Sequence, residues 1–250
     1  MVSCITTFSQ DGYELYGHRM IDTWLRFWPK NHKLQVYTEG YSLTETNVRL
    51  ISLDLEKTCK DLVNFKKNSL VLLNRSESKK ELRRIQKTIK WSHKVYAISH
   101  ALKNLNDDFI IFLDGDTYTT DYVPSDLAEI LVKEKLFSVH FEHLNHGLHF
   151  ETGLIVFNMQ HNQVDLLKHH LTTAYNNLDI YKMKKTWDGF WFAHLYKEYK
   201  LDVLDLSQDG KGVFGNKHVK DILKHNVGNK KYLNAGYNQF TGRKNPSESI

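Results

Sequence analysis

The sequence predicts a single α/β domain with a mostly parallel central sheet and helices on both faces. Three observations lead to this. Strand-like apolar runs alternate with stretches of helical periodicity, the pattern of strands joined by crossover helices. One run, Phe109-Ile110-Ile111-Phe112-Leu113, is apolar without interruption, as a strand buried on both faces must be. The 250 residues are 41% hydrophobic and 25% charged, enough for a core of that size, and the 3 prolines and 13 glycines mark no linker that would divide the chain.

Val2 to Phe8 reads as the first buried strand, ended by the polar turn Ser9-Gln10-Asp11-Gly12. Tyr13, Tyr16, Met20, Trp24 and Phe27 then recur at helical steps, with Pro29 just beyond. Short strands follow at Leu34 to Thr38, closed by Glu39-Gly40, and at Val48 to Leu53. Thr58 to Ser78 shows no clear period. Leu82, Ile85 and Ile89 mark a strongly basic helix, and Ser92 is placed to cap a second helix carrying Val95, Ile98, Ala101, Leu102 and Leu105. Beyond the central apolar run, strands are expected at Phe137 to Phe141, Leu154 to Phe157 and Val203 to Leu206, and helices at Val164 to Leu178 and Trp187 to Tyr199. Ligands of such sheets bind beyond the carboxyl ends of the strands, where Ser9, Glu39 and the turn after Leu113 all fall.

Composition excludes several classes. No run approaches the ~18 apolar residues of a membrane span, and the first residues lack the pattern of a secretory leader. A cytoplasmic protein without a transmembrane segment is expected, of the kind a bacterium, phage or large virus would make. Two cysteines, Cys4 and Cys59, do not make a disulfide framework. The net charge is +5, with Lys and Arg gathered between Lys79 and Lys94 and from Lys211 to Lys231, which invites an anionic partner. No nucleic-acid-reading motif accompanies that charge, so a nucleic-acid partner is not expected and a small phosphorylated ligand accounts for it.

The apolar run ends in Asp114-Gly115-Asp116. Two carboxylates at i and i+2 can both face the crevice above the sheet, and the glycine between them removes a side chain that would obstruct close approach. Hard cations such as Mg²⁺ and Mn²⁺ take carboxylate oxygens and keep positions open for phosphate. A turn with two solvated acids is the plain alternative. A haloacid dehalogenase-type phosphatase, with Asp114 as nucleophile, is another. That pattern has Thr or Val four positions after the first acid, where this chain has Tyr118, and it falls near the start of a chain.

More than a hundred residues downstream the chain reads His225-Asn226-Val227-Gly228-Asn229-Lys230-Lys231. An imidazole can complete a metal site, a glycine admits a diphosphate to the backbone amides, and a lysine supplies positive charge. Asp-x-Asp after a central strand, followed by His-x-x-Gly-x-x-Lys, resembles the GT-A glycosyltransferases related to glycogenin and to the bacterial lipooligosaccharide galactosyltransferases. The resemblance implies one Rossmann-like GT-A domain, with a nucleotide-binding half of about residues 1–116 and an acceptor-side half of about 117–250. It also implies a nucleotide diphosphate sugar donor, UDP by the same likeness, and a glycan or other hydroxyl acceptor. Carried over, Asp114, Asp116 and His225 would hold Mn²⁺ or Mg²⁺, Gly228 and Lys231 the phosphates, and Lys94 would face the donor.

Glycosyl transfer passes through an oxocarbenium-like state, so a carboxylate near the anomeric carbon can act as base or nucleophile. Asp188 and Glu151 are the candidates, Asp188 having a second reading as a helix cap. The relatives carry Asp-Gln near Asp188, and here Gln is replaced by Gly189. Phe8 and Glu39, at the ends of the first two strands, are candidates for contact with base and ribose. Trp187, Phe190 and Trp191 offer stacking faces to an acceptor sugar or belong to the core. His143, His146 and His149, with Gly147 among them, read as an acceptor-side loop. A non-catalytic sugar-nucleotide or glycan-binding module is the remaining alternative.

Overall fold

The computed structural model describes residues 1–44, 47–144, 147–207 and 212–225. Its strands are β1 (Val2–Phe8), β2 (Lys33–Thr38), β3 (Leu50–Asp54), β4 (Phe109–Leu113), β5 (Thr117–Thr119), β6 (Phe137–Leu144), β7 (Gly147–Asn158), β8 (Val203–Asp205) and β9 (Leu223–His225). Seven form one sheet in the order β3-β2-β1-β4-β7-β6-β8. β3, β2, β1 and β4 are parallel neighbours, β7 runs antiparallel to β4 and β6, and β8 is parallel to β6. The sheet is therefore mostly parallel with β7 reversed.

β4 shows why its sequence is apolar throughout. Ile110 and Phe112 join a core with Val95, Ile98 and Ala101 of the long helix Lys79–Asn104 and Phe192 of the helix Asp188–Tyr199. Ile111 and Leu113 point the other way, into a core with Met20, Ile21, Trp24 and Leu131. Alternate side chains of one strand thus fill two cores, and no position is left for a polar residue.

Several expected boundaries shift. The basic stripe and the segment after it form one helix, Lys79–Asn104, which passes through Ser92 without a break. Ser92 is buried, and its hydroxyl donates to the Ile89 carbonyl at 2.7 Å, satisfied inside the helix instead of capping one. The featureless stretch contains a helix, Lys60–Arg75, which buries Leu62, Phe65 and Ser69 but exposes Val63, Leu70 and Val71. Those exposed apolar residues blur its stripe. The helix expected at Val164 to Leu178 breaks into Val164–His170 and Thr173–Asn176, and Leu178 stands in the left-handed region at φ 60°. The first helix, His18–Phe27, is entered through a π-helical turn, Tyr13–Gly17.

The histidine-rich segment is a β6–β7 hairpin in place of the expected loop, with Glu142 opposite His149 and His143 opposite Leu148. Its tip carries Gly147 at φ 110°, and His146 lies outside the described residues. Among the described residues, no helix is long and apolar enough to cross a membrane.

The helix Asp188–Tyr199 packs on β7, and Gly189 sets how closely. A Cβ at position 189 would sit 2.1 Å from the Phe150 carbonyl oxygen and 2.4 Å from His149 Nε2. Backbone cannot step aside for it, so no side chain fits at this position. Gly189→Ala is expected to cost about 2 kcal/mol through overpacking. Thermal melting of the ligand-free protein should fall by roughly 4–8 °C, and an unchanged melting temperature would show that the helix does not approach β7 this closely.

Candidate functional site

β4 ends at Leu113 and the chain turns through Asp114-Gly115-Asp116-Thr117, closed by the Thr117 amide donating to the Asp114 carbonyl at 2.9 Å. The Asp114 amide donates to the Gly153 carbonyl of β7 at 2.9 Å, so the first acid is still fixed to the sheet. Gly115 passes the end of β1 so closely that a Cβ there would lie 2.6 Å from Phe8 Cδ1 and 3.2 Å from the Thr7 carbonyl oxygen. A side chain would push the turn away from β1.

β5 follows at once and pairs antiparallel with β9 in a separate two-stranded sheet, with Thr117 opposite His225. That register delivers the histidine to the acids. His225 Nε2 lies 2.9 Å from Asp116 Oδ1 and 3.6 Å from Asp114 Oδ2. One donor atom from each of the three residues falls within 4.8 Å of the other two. Burial works against a charge on His225, but the bond to Asp116 and the charges of Asp114, Asp116 and Glu151 outweigh it, and its pKa is held above the ordinary histidine value. Two carboxylate oxygens and one imidazole nitrogen, converging with positions left for other ligands, fit a small divalent cation.

Beside this cluster Lys94 bridges two acids. Its ammonium lies 2.7 Å from Asp114 Oδ1 and 3.0 Å from Asp188 Oδ2, and reaches Thr152 Oγ1 at 3.2 Å and the Thr152 carbonyl at 3.3 Å. Thr152 Oγ1 donates to Asp188 Oδ2 at 2.6 Å. Burial alone would drive Lys94 toward neutrality, and the two carboxylates more than reverse that, holding it protonated. Burial likewise opposes ionisation of Asp188, but Lys94 and the Thr152 hydroxyl bring its pKa below the usual carboxylate range. Asp188 opens its helix, yet the capping position is Trp187, which makes no side-chain cap bond. The Asp188 carboxylate serves Lys94 and Thr152, not the helix end.

A cavity of about 220 Å³ opens at this end of the sheet, lined by Thr7, Phe8, Ser9, Tyr16, Glu39, Lys90, Trp91, Lys94 and the Asp114-Gly115-Asp116 turn. Phe8 is 2% exposed, its ring packed close to Gly17 and Gly115 and 5.9 Å from the Tyr13 ring. Burial pushes the Glu39 carboxyl up, against the pull of His93, whose Nδ1 is 3.7 Å away. Tyr16, Trp91 and Thr152 were not among the site residues expected from sequence. Trp91 stands one helical turn before Lys94, so the i, i+3 spacing places both on one face and is a signal that could have found it.

Glu151 accepts from the Val213 amide at 3.1 Å and also approaches His140 and Glu142. Their contacts are internal, His140 Nδ1 lying 2.7 Å from Ser207 Oγ and His149 Nδ1 3.0 Å from Glu142 Oε2. Among the described residues, neither His143 nor His149 joins a metal-binding group. Trp191 belongs to the core and donates to the Leu171 carbonyl, while Trp187 and Phe190 stack at 5.4 Å. Gly228 and Lys231 lie outside the described residues.

By sequence, no family model and no curated protein matches the chain. Solved structures do. Apo mouse xyloside xylosyltransferase 1 aligns at TM-score 0.53 and 14% identity, covering 83% of this chain and 86% of that one. An active-site mutant of LgtC aligns at TM-score 0.52 and 12% identity, covering 90% and 87%. The chain has the GT-A glycosyltransferase fold. Apo GlyE of Streptococcus pneumoniae agrees at TM-score 0.51 and 12% identity over 81% of this chain, which spans 44% of that longer one. In this GT-A chain the acid pair stands at the carboxyl end of the central strand, inside the cavity.

Lys94→Met is expected to cost about 3–5 kcal/mol, because it strands a buried carboxylate. Combining it with Asp188→Asn should restore part of that loss in denaturant unfolding, whereas additive costs would refute the pair. The lowered Asp188 pKa contributes stability that is full above its unfolded value of about 3.9 and is lost as pH falls through the folded value. Stability of Asp188→Asn should therefore fall less steeply than wild type below roughly pH 4.

Proposed function

We propose that this protein is a metal-dependent glycosyltransferase that moves a sugar from a nucleotide diphosphate donor, UDP-linked, to a hydroxyl of a glycan or other acceptor. The observation that carries the reading is the convergence of Asp114, Asp116 and His225 at the carboxyl end of β4 in a chain with the GT-A fold. Mn²⁺ or Mg²⁺ held by these three residues would supply positive charge to the diphosphate. Lys94, paired with Asp114 and Asp188, holds both acids in place at the same cavity. Glu39, at the end of β2, takes the ribose, the buried Phe8 at the end of β1 forms part of the wall behind the base, and Gly228 and Lys231 take the phosphates. On this reading residues up to about 116 hold the nucleotide and those beyond it face the acceptor.

The two candidate carboxylates divide by environment. A carboxylate held ionised by Lys94 and Thr152 is a poor proton acceptor, so Asp188 suits charge stabilisation of the oxocarbenium-like sugar and orientation of Lys94. Glu151 is left as the base that would receive the acceptor proton.

A thermal-shift panel of UDP, GDP, CDP and dTDP, each with and without Mn²⁺, tests the reading. A nucleotide at a hundred times its dissociation constant adds about 2.7 kcal/mol, or roughly 5–11 °C for a chain of this size. UDP should shift melting only when the metal is present, and Asp116→Asn should lose that shift while still folding. A panel in which no nucleotide acts in a metal-dependent way overturns the proposal.

A further inference from the structure

A second, larger depression of about 600 Å³ lies between the first half of the helix Lys79–Asn104 and residues 184–187. Its walls are basic. Lys79, Arg83 and Lys87 recur four residues apart, with Trp91 at the next step, so they share one face of the helix. Lys184 and Lys185 line the groove with them. Arg84 has a different task, donating to the Tyr181 and Met183 carbonyls at 2.7 and 2.6 Å and so fastening one wall to the other. Among the described residues, none of Lys79, Arg83, Lys87, Lys184 or Lys185 has a carboxylate partner. Like charges at this spacing destabilise a helix, a cost that a bound anion would relieve.

The groove leads to the candidate site. Trp91 lines both it and the cavity that holds Asp114 and Asp116. From Lys79 to Trp91 the helix runs about 18 Å, room for several sugar units. Aromatic rings gather only at the cavity end, where Trp91 and Trp187 lie 5.8 Å apart. A single-stranded nucleic acid would need stacking faces along its whole path. Charge along the path with aromatic rings only at its end fits a saccharide that carries anions on successive units and lays one sugar face on an indole.

We infer that this groove is the acceptor site and takes an acidic oligosaccharide, its phosphate, sulfate or carboxylate groups on the Lys79, Arg83 and Lys87 stripe and its terminal hydroxyl at the cavity. As an acceptor assignment this rests on the glycosyltransferase reading; as a binding site it does not.

Fluorescence anisotropy with a labelled heparin octasaccharide, without donor or metal, tests it. The octasaccharide should bind wild type and weaken by about tenfold or more in R83E/K87E. K30E/K33E, the same charge change on two exposed lysines elsewhere, should bind like wild type. If R83E/K87E fails to fold, R83Q/K87Q gives the same ranking with a smaller effect. Equal binding of labelled maltooctaose, equal loss in K30E/K33E, or tighter binding of an oligothymidylate of matched charge would each overturn the inference. The metal-dependent UDP shift of wild type separates the two readings. Its absence with octasaccharide binding intact sinks the donor reading alone, and the reverse result sinks the groove alone.

Discussion

A lysine ammonium buried between two carboxylates ties together parts of the chain that lie far apart in sequence. Asp114 leaves the end of β4, Lys94 projects from the long helix, Asp188 opens a later helix, and Thr152 of β7 bonds to both Lys94 and Asp188. Removing such charges from water costs several kcal/mol per ion, and the cost is met only when each group is paired and its hydrogen bonds are filled. That requirement fixes the axial position of the long helix against the sheet. The same helix carries the basic stripe, so the ion pair that anchors its middle also decides where its first half points.

The metal-type cluster has a different foundation. Asp114 and Asp116 are placed by main-chain bonds of the sheet and turn, but His225 arrives by the short pairing of β5 with β9, three residues on each side. Two carboxylates at the end of an apolar strand repel each other, and a cation between them removes the repulsion. The raised pKa of His225 is one response to that field. On the proposed reading, a proton on His225 and a divalent cation would compete for the same place.

What the sequence made legible follows from how local each signal is. Phe109 to Leu113 could be read as a central strand because both its faces are buried, and the turn after it because two acids there have no packing role. The reversal of β7 was not legible, since an apolar strand reads alike in either direction. Ser92 misled because its hydroxyl finds a carbonyl within its own helix, a bond that leaves no trace in periodicity. Gly189 looked like a lost side chain, and only the proximity of the Phe150 carbonyl explains it. The pairing of Lys94 with Asp188 joins residues nearly a hundred positions apart, so neither could be assigned its partner from spacing.

An acidic cluster and a basic groove on one molecule attract each other. The lysine in contact with the acids, Lys94, already divides its charge between Asp114 and Asp188. Lys79, at the far end of the groove, stands about 18 Å along the helix from Trp91, beyond the ~8 Å over which charges act on each other at physiological salt, while Lys87 stands about one turn from it. The stripe is therefore screened from the acids most completely at its outer end. A cation-bound diphosphate and an acidic acceptor, both anionic, would repel if brought together in water. On the proposed reading, the metal would offset the charge of the diphosphate, and the Lys79, Arg83 and Lys87 stripe that of the acceptor.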